Sequence, residues 1–403
     1  MISTEHQTPN PKHQTLRWRY TMHSQEPIHF LFPVFKTPHI IFRASKALYV
    51  KHVKTRKEYR RDDGGCAVPP QQISVKITNA CNLRCKTCGQ WGETGYNLGE
   101  KSSNLKKLVP IERYIELADQ VKFFAPIYYI WGGEPFMYPG LMDFTHRIKE
   151  NKSLLAVVTN ATMLADRAEE VVKQKWDALM FSLDGPEEIH DAIRGRKGTF
   201  QKVAKGIEAV RKYKRDTKSS LPWIMALVTV SVDNARWLDR IFEVGEQLNI
   251  DCMIVYYSWF TDEKIGKAHT KIMQRELGTT PTKWKGYLFN HHVDTDALLE
   301  SLHRIRNRKW KFPHLFIPDL KHDTDIVEYY KNPGNFFGYG PCISPWFVSE
   351  VMPNGDVAPC RDYPDYITGN LMEESLLDIW NGERYRKFRG EGWKRHLHDS
   401  NAP

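Results

Sequence analysis

Gln72-Ile73-Ser74-Val75-Lys76-Ile77-Thr78-Asn79-Ala80-Cys81-Asn82-Leu83-Arg84-Cys85-Lys86-Thr87-Cys88 is an alternating apolar strand that runs directly into three cysteines. Period-2 alternation at Ile73, Val75 and Ile77 predicts a strand over 72–77. The spacing Cys-x3-Cys-x2-Cys puts three thiols on one short loop at its C-terminal end, one short of a closed tetrahedral site. Such a set suits an iron–sulfur cluster with one iron left open for another ligand. It also suits three ligands of a zinc site with Cys66 or a histidine as the fourth, although no second Cys/His knuckle follows downstream.

Outward from that stretch the pattern repeats. Short apolar runs at 72–77, 126–131, 154–159, 178–183, 223–231 and 252–257 read as strands. Segments long enough for helices separate them, at 111–124, 141–150, 164–175, 199–213 and 235–248. Strand–helix alternation with buried β-branched strands predicts a parallel sheet, here a partial (β/α)6 version of the eight-fold barrel. In that architecture the site lies at the C-terminal ends of the strands. Cys81, Gly132-Gly133-Glu134, Thr159-Asn160 and Ser182-Leu183-Asp184 fall there, after strands one to four. Paired glycines let a backbone approach a ligand without Cβ interference, and the carboxylate behind them can accept from an amino group.

The expected organisation has four parts. Residues 1–70 form an extension, a polar tail followed by an apolar then basic arm at 28–61; 71–260 form the partial barrel; 261–340 are helices and loops; 341–403 form a small α+β unit. In the last unit Pro353-Asn354-Gly355 between two short apolar runs signals a hairpin. An apolar stretch followed by Lys46, Lys51, Lys54, Arg56, Lys57, Arg60 and Arg61 can lie on an anionic membrane surface or pack as a solvated arm.

The 403 residues are 41% hydrophobic and 26% charged, with a net charge of +10 spread along the chain, so nucleic acid is not the expected partner. Seven cysteines without a signal-peptide pattern at Met1 point to reduced thiols in a cytoplasm. No run of apolar residues is long enough to span a bilayer.

Together, the cysteine triad, Gly132-Gly133-Glu134-Pro135, Thr159-Asn160, Ser182-Leu183-Asp184-Gly185 and His190-Asp191-Ala192-Ile193-Arg194-Gly195 resemble the radical S-adenosylmethionine enzymes over roughly 72–260. The resemblance implies that Cys81, Cys85 and Cys88 hold a [4Fe–4S] cluster whose open iron takes the amino and carboxylate groups of S-adenosylmethionine. It implies that Glu134 and the backbone at Gly132 and Gly133 bind the methionine amino group, that Asn160, Ser182 and Asp184 face the ribose, and that Arg194 pairs with the methionine carboxylate. It implies reductive cleavage to a 5′-deoxyadenosyl radical that abstracts a substrate hydrogen, with flavodoxin or ferredoxin as electron donor. Two positions depart from the family pattern. Gly89 stands where an aromatic often follows the third cysteine, with Trp91 as a substitute, and Ala161 stands where glycine usually follows Thr-Asn.

Cys342 and Cys360, enclosing Gly355, resemble the opening of a SPASM or twitch domain, which implies auxiliary iron–sulfur clusters. Too few cysteines remain to ligate one fully; Asp356, Asp362 or a histidine would have to complete it. The substrate expected from the arm is lipid-like or membrane-proximal, with peripheral membrane contact. The alternatives are a peptide maturase of the same superfamily and, in a different class, a zinc- or cluster-bearing nucleic-acid-binding protein.

Overall fold

The computed structural model describes residues 49–61, 63–288, 292–339, 342–361 and 364–393. The polar tail, the apolar half of the arm, His291, Asp362, His396 and His398 lie outside them.

Among the described residues ten strands form one sheet in the order β10-β9-β8-β1-β2-β3-β4-β5-β6-β7. The first six are β1 (Gln72–Lys76), β2 (Ile127–Trp131), β3 (Leu154–Thr159), β4 (Ala178–Ser182), β5 (Trp223–Thr229) and β6 (Cys252–Tyr256), at the positions the alternation predicts. Each pairs parallel with the next, for example Ile73 with Tyr128 and Val75 with Ile130. Ser74 and Lys76 are buried as well as Ile73 and Val75, so β1 is covered on both faces, as parallel sheets require.

The outer layer is helical. Helix Thr199–Asp216 buries Val203, Ile207 and Val210, spaced i, i+4, i+7, against the sheet. Helices Ile111–Gln120, Leu141–Glu150 and Leu238–Gln247 bury their own apolar stripes in the same core. A separate cluster fills the inside of the curved sheet, with Met180, Cys252 and Ile254 packed against Ala156, Val158 and Leu227. Cys252 is thus a core residue, and burial pushes its thiol up to about 12.

Two features depart from the expected six-strand barrel. A seventh parallel strand, β7 (His314–Ile317), pairs with β6 inside the stretch read as helices and loops. It is four residues long, flanked by Pro313 and Pro318, and only half-buried, as an edge strand is; neither alternation nor a continuous apolar run marks it. Second, the hairpin β8 (Val348–Val351) and β9 (Asp356–Ala358), with β10 (Gly369–Asn370), continues the barrel sheet. β8 lies parallel to β1, with Ser349 opposite Ile73. Arg389 anchors the last turns by donating to the carbonyls of Pro345, Gly65 and Trp380.

Candidate functional site

A cavity of about 310 Å³ opens at the C-terminal ends of β1 to β6. Cys81, Cys85 and Cys88 line it together with Gly132, Gly133, Asn160, Ser182, Asp184 and Arg194. Seven of the nine cavity residues named here sit on loops that leave successive strands; Ser182 ends β4 and Arg194 ends helix Glu187–Arg194. That helix is placed by the cysteine loop itself, since Lys86 N–H donates to the Ile193 carbonyl at 2.9 Å.

Each of the three sulfurs faces at least one N–H donor, and Cys81 also takes the Leu83 backbone N–H. Asn160 Nδ2 lies 3.9 Å from Cys81 Sγ, Arg194 Nη1 3.5 Å from Cys85 Sγ, and the Trp91 backbone N–H 3.4 Å from Cys88 Sγ. Donors aimed at sulfur stabilise thiolate and sulfide charge and tune cluster potential. Burial pushes the Cys81 thiol up to about 11 and raises Cys85 too, with Arg194 pulling Cys85 back down. Buried thiols of this kind become thiolates when a metal takes the place of the proton. Among the described residues no three His, Cys, Asp or Glu side chains gather closely enough for a single metal ion. The three cysteines line one cavity, and thiolates are the usual ligands of an iron–sulfur cluster.

The Gly-Gly turn works by close approach. A Cβ on Gly133 would sit 2.1 Å from the Ala80 carbonyl oxygen, so only glycine lets the second loop lie on the first. Gly133 and Glu134 N–H groups donate to the carbonyls of Thr78 and Ala80 at 2.8 Å each. The Glu134 carboxylate, however, turns away from the cavity. It is fully buried and accepts from Thr159 Oγ1 (2.7 Å), Asn160 N–H (2.7 Å) and Phe136 N–H (3.2 Å). Burial raises its carboxyl and those three donors lower it. Glu134 thus ties the loop after β2 to the end of β3 and the loop after it, and Gly132 and Gly133 line the cavity.

Arg194 also has a partner within the protein. Its Nε lies 2.5 Å from Asp184 Oδ2, and both groups are nearly fully buried. Burial opposes both charges; Asp184 and Cys85 nevertheless hold Arg194 firmly protonated, and Arg194 pulls the Asp184 carboxyl down against its burial. The Asp184 N–H donates to Nδ1 of His190 at 3.2 Å, which fixes the imidazole as a neutral ring protonated at Nε2.

Several lining residues have no sequence signal of their own. Tyr287, from the turn Lys283–Tyr287, packs over Gly89, where a Cβ would meet its Cε1 at 3.0 Å. Tyr287 thus supplies an aromatic beside the third cysteine from a distant segment. Trp91 lines the cavity too, but its indole N–H donates to the Asn79 carbonyl and Arg84 stacks 4.3 Å from its ring, so it also braces the cysteine loop. Ala161 adopts φ +60° with its methyl fully buried, the left-handed conformation for which glycine is usual. Arg361 reaches the cavity from the C-terminal unit.

Around the second cysteine pair the geometry is sparser. Cys342 is exposed and Cys360 half-buried. Asp356 hydrogen-bonds Asn354 and Asn370 within the hairpin. Cys66 sits between Gly65, which Arg389 holds, and Ala67, which Asn381 holds, so it belongs to this side of the molecule.

Comparison with known proteins follows the same lines. The family model described as "Radical SAM superfamily" matches residues 75–250, and "Iron-sulfur cluster-binding domain", SPASM, matches 342–401. The chain is 25% identical to the tungsten-containing aldehyde ferredoxin oxidoreductase cofactor-modifying protein of Pyrococcus furiosus, over 79% of this chain and 82% of that one. It is 26% identical to an AdoMet-dependent heme synthase of Methanosarcina barkeri, over 79% and 85%. Among solved structures, SuiB of Streptococcus suis bound to its precursor peptide SuiA has a similar fold, with a TM-score of 0.56 at 18% identity over 84% of this chain and 70% of that one.

Proposed function

This chain belongs to the radical S-adenosylmethionine superfamily and is an enzyme with a SPASM-type C-terminal domain, and on that premise we propose what its own residues do. Cys81, Cys85 and Cys88 hold the [4Fe–4S] cluster of the family. When bound, the reduced cluster supplies the electron that cleaves S-adenosylmethionine to methionine and a 5′-deoxyadenosyl radical, which abstracts a substrate hydrogen. Gly132 and Gly133 present backbone to the methionine end. Asn160 and Ser182 face the ribose. Arg194, oriented by Asp184, offers its guanidinium edge to the methionine carboxylate. Tyr287 lies against the adenine in place of a side chain at position 89. A one-electron donor such as flavodoxin or ferredoxin completes the cycle.

The observation that carries this reading is the set of N–H donors, at least one to each of the three sulfurs, around a cavity of about 310 Å³. It is tested by anaerobic reconstitution, followed by dithionite and S-adenosylmethionine. 5′-Deoxyadenosine is expected from the wild-type protein and not from the Cys85→Ala variant. A protein with an intact cluster that releases none would refute the reading.

For the substrate, much of the cavity lining is apolar and aromatic, which supports a molecule with an apolar body, as the lipid-like reading requires. The apolar half of the arm lies outside the described residues, and no helix among them is long and apolar enough to cross a membrane. A second reading, a peptide maturase, draws support from relatives named for such work: the subtilosin biosynthesis protein AlbA and the sporulation killing factor maturation protein SkfB. Comparing metabolite, lipid and peptide profiles of cells with and without the gene separates the two.

A further inference from the structure

We propose that the substrate carries a carboxylate on an apolar or aromatic body, and that Arg361 recognises it. The inference rests on the proposed function only in taking this cavity as the substrate site. The apolar and aromatic lining is built from Tyr129 and Trp131 on β2, Leu227 on β5, Tyr256 on β6 and Trp259 just beyond it. Tyr129 and Trp131 are two apart on one strand, so both point to the inside. Three charged side chains line the cavity: Asp184, Arg194 and Arg361. The first two form an ion pair with each other. Arg361 is paired with Glu350, which does not line the cavity, so at the aromatic rings the charged group the cavity meets is a guanidinium.

Arg361 is also held in place. Its Nε donates to Glu350 Oε1 at 3.2 Å, and Glu350 is buried on β8. Its guanidinium lies 4.9 Å from the Tyr129 ring centre and 5.6 Å from that of Trp131. A planar fork clamped by a carboxylate below and two rings beside it loses little freedom when an anion docks. The rings shield the same place from water, which strengthens a charge-assisted hydrogen bond there. The residue gets there through tertiary structure: β8 pairs with β1, which brings the turn after β9 over the end of β2.

If Arg361 were only a clamp joining the C-terminal unit to the barrel, the cavity would show no preference for acids. The test uses reconstituted wild-type protein with S-adenosylmethionine bound, equilibrium dialysis, and two probes of the same shape, 3-phenylpropionate and 3-phenylpropanamide. The acid is expected to bind at least about 10-fold more tightly than the amide, the size of one charge-assisted contact. Arg361→Met, which keeps the apolar stem, is expected to abolish the preference, and Arg361→Lys to keep part of it. Equal binding of acid and amide by the wild type overturns the proposal, as does no binding of either, or a preference that survives in Arg361→Met. The wild-type comparison stands even if the variants fail to fold. A second pair, N-acetyl-Phe-Glu-amide and N-acetyl-Phe-Gln-amide, asks where the carboxylate comes from. Tighter binding of the peptide acid than of 3-phenylpropionate assigns a peptide source, and the reverse a free organic acid. 5′-Deoxyadenosine release is measured on the same wild-type preparation. If it is absent, the proposed function fails; if it is present without an acid preference, only this inference fails.

Discussion

His190 makes the proposed site sensitive to acid in a way that can be measured without any cofactor. Its ring is fully buried, accepts the Asp184 N–H at Nδ1 and faces the nearby charge of Arg194. Burial, reinforced by Arg194, lowers its pKa from 6.5 to about 3. The folded-state value is depressed, so the unfolded chain binds the proton first as pH falls. Stability from this group is complete above 6.5 and is lost as pH drops from there toward 3. About pH 5 lies roughly 1.5 units below the unfolded value, so at about 1.4 kcal/mol per unit the loss there is about 2 kcal/mol. The perturbation is His190→Asn, whose Oδ1 takes the place of Nδ1 as acceptor but does not titrate. Urea unfolding of the apoprotein at about pH 7.5 and about pH 5 reads the difference, because every other ionisable group is common to both proteins and cancels. The wild type is expected to lose about 2 kcal/mol more than the variant across that interval. An equal loss in the two would show that His190 is protonated in the folded state, and the assignment of a neutral ring beneath Asp184 would fall.

Other substitutions probe the loops directly. Gly133→Ala pushes a methyl into the Ala80 carbonyl, and a destabilisation of about 1–3 kcal/mol with loss of iron uptake is expected by colorimetric iron assay; normal loading would contradict the close approach. Gly89→Phe collides with Tyr287 and is expected to weaken S-adenosylmethionine binding about 10-fold in equilibrium dialysis, a loss that Tyr287→Gly in the same chain recovers. Cys342→Ala combined with Cys360→Ala is expected to leave about four irons per chain, the content of a single [4Fe–4S] cluster, since with Cys252 in the core only Cys66 is left among the chain's seven cysteines to join that pair. A drop in iron on the double substitution would place an auxiliary cluster there.

The six strands at 72–256, and the cysteine, Gly-Gly, Thr-Asn and Ser-Leu-Asp segments at the ends of four of them, were legible because their signals are local. Alternation, β-branching and spacing act within a few residues, and a parallel barrel places strand ends together whatever the loops contain. β7 was not legible, because four residues between prolines at an edge carry no pattern. The direction of the Glu134 carboxylate was not legible either. Its three donors come from Phe136 on its own loop and from Thr159 and Asn160 on the next one, and only packing decides that the inward rotamer wins.

The sequence by itself therefore determined the kind of cofactor site, since three cysteines on one loop after a buried strand leave few chemistries open. Tertiary structure decided what surrounds it. Tyr287 comes to lie over Gly89, and Arg361 over Tyr129 and Trp131, through the fold of a turn and the pairing of β8 with β1. Contacts of such long sequence separation are set by how layers pack, a property of the assembled core that no window of neighbouring residues contains.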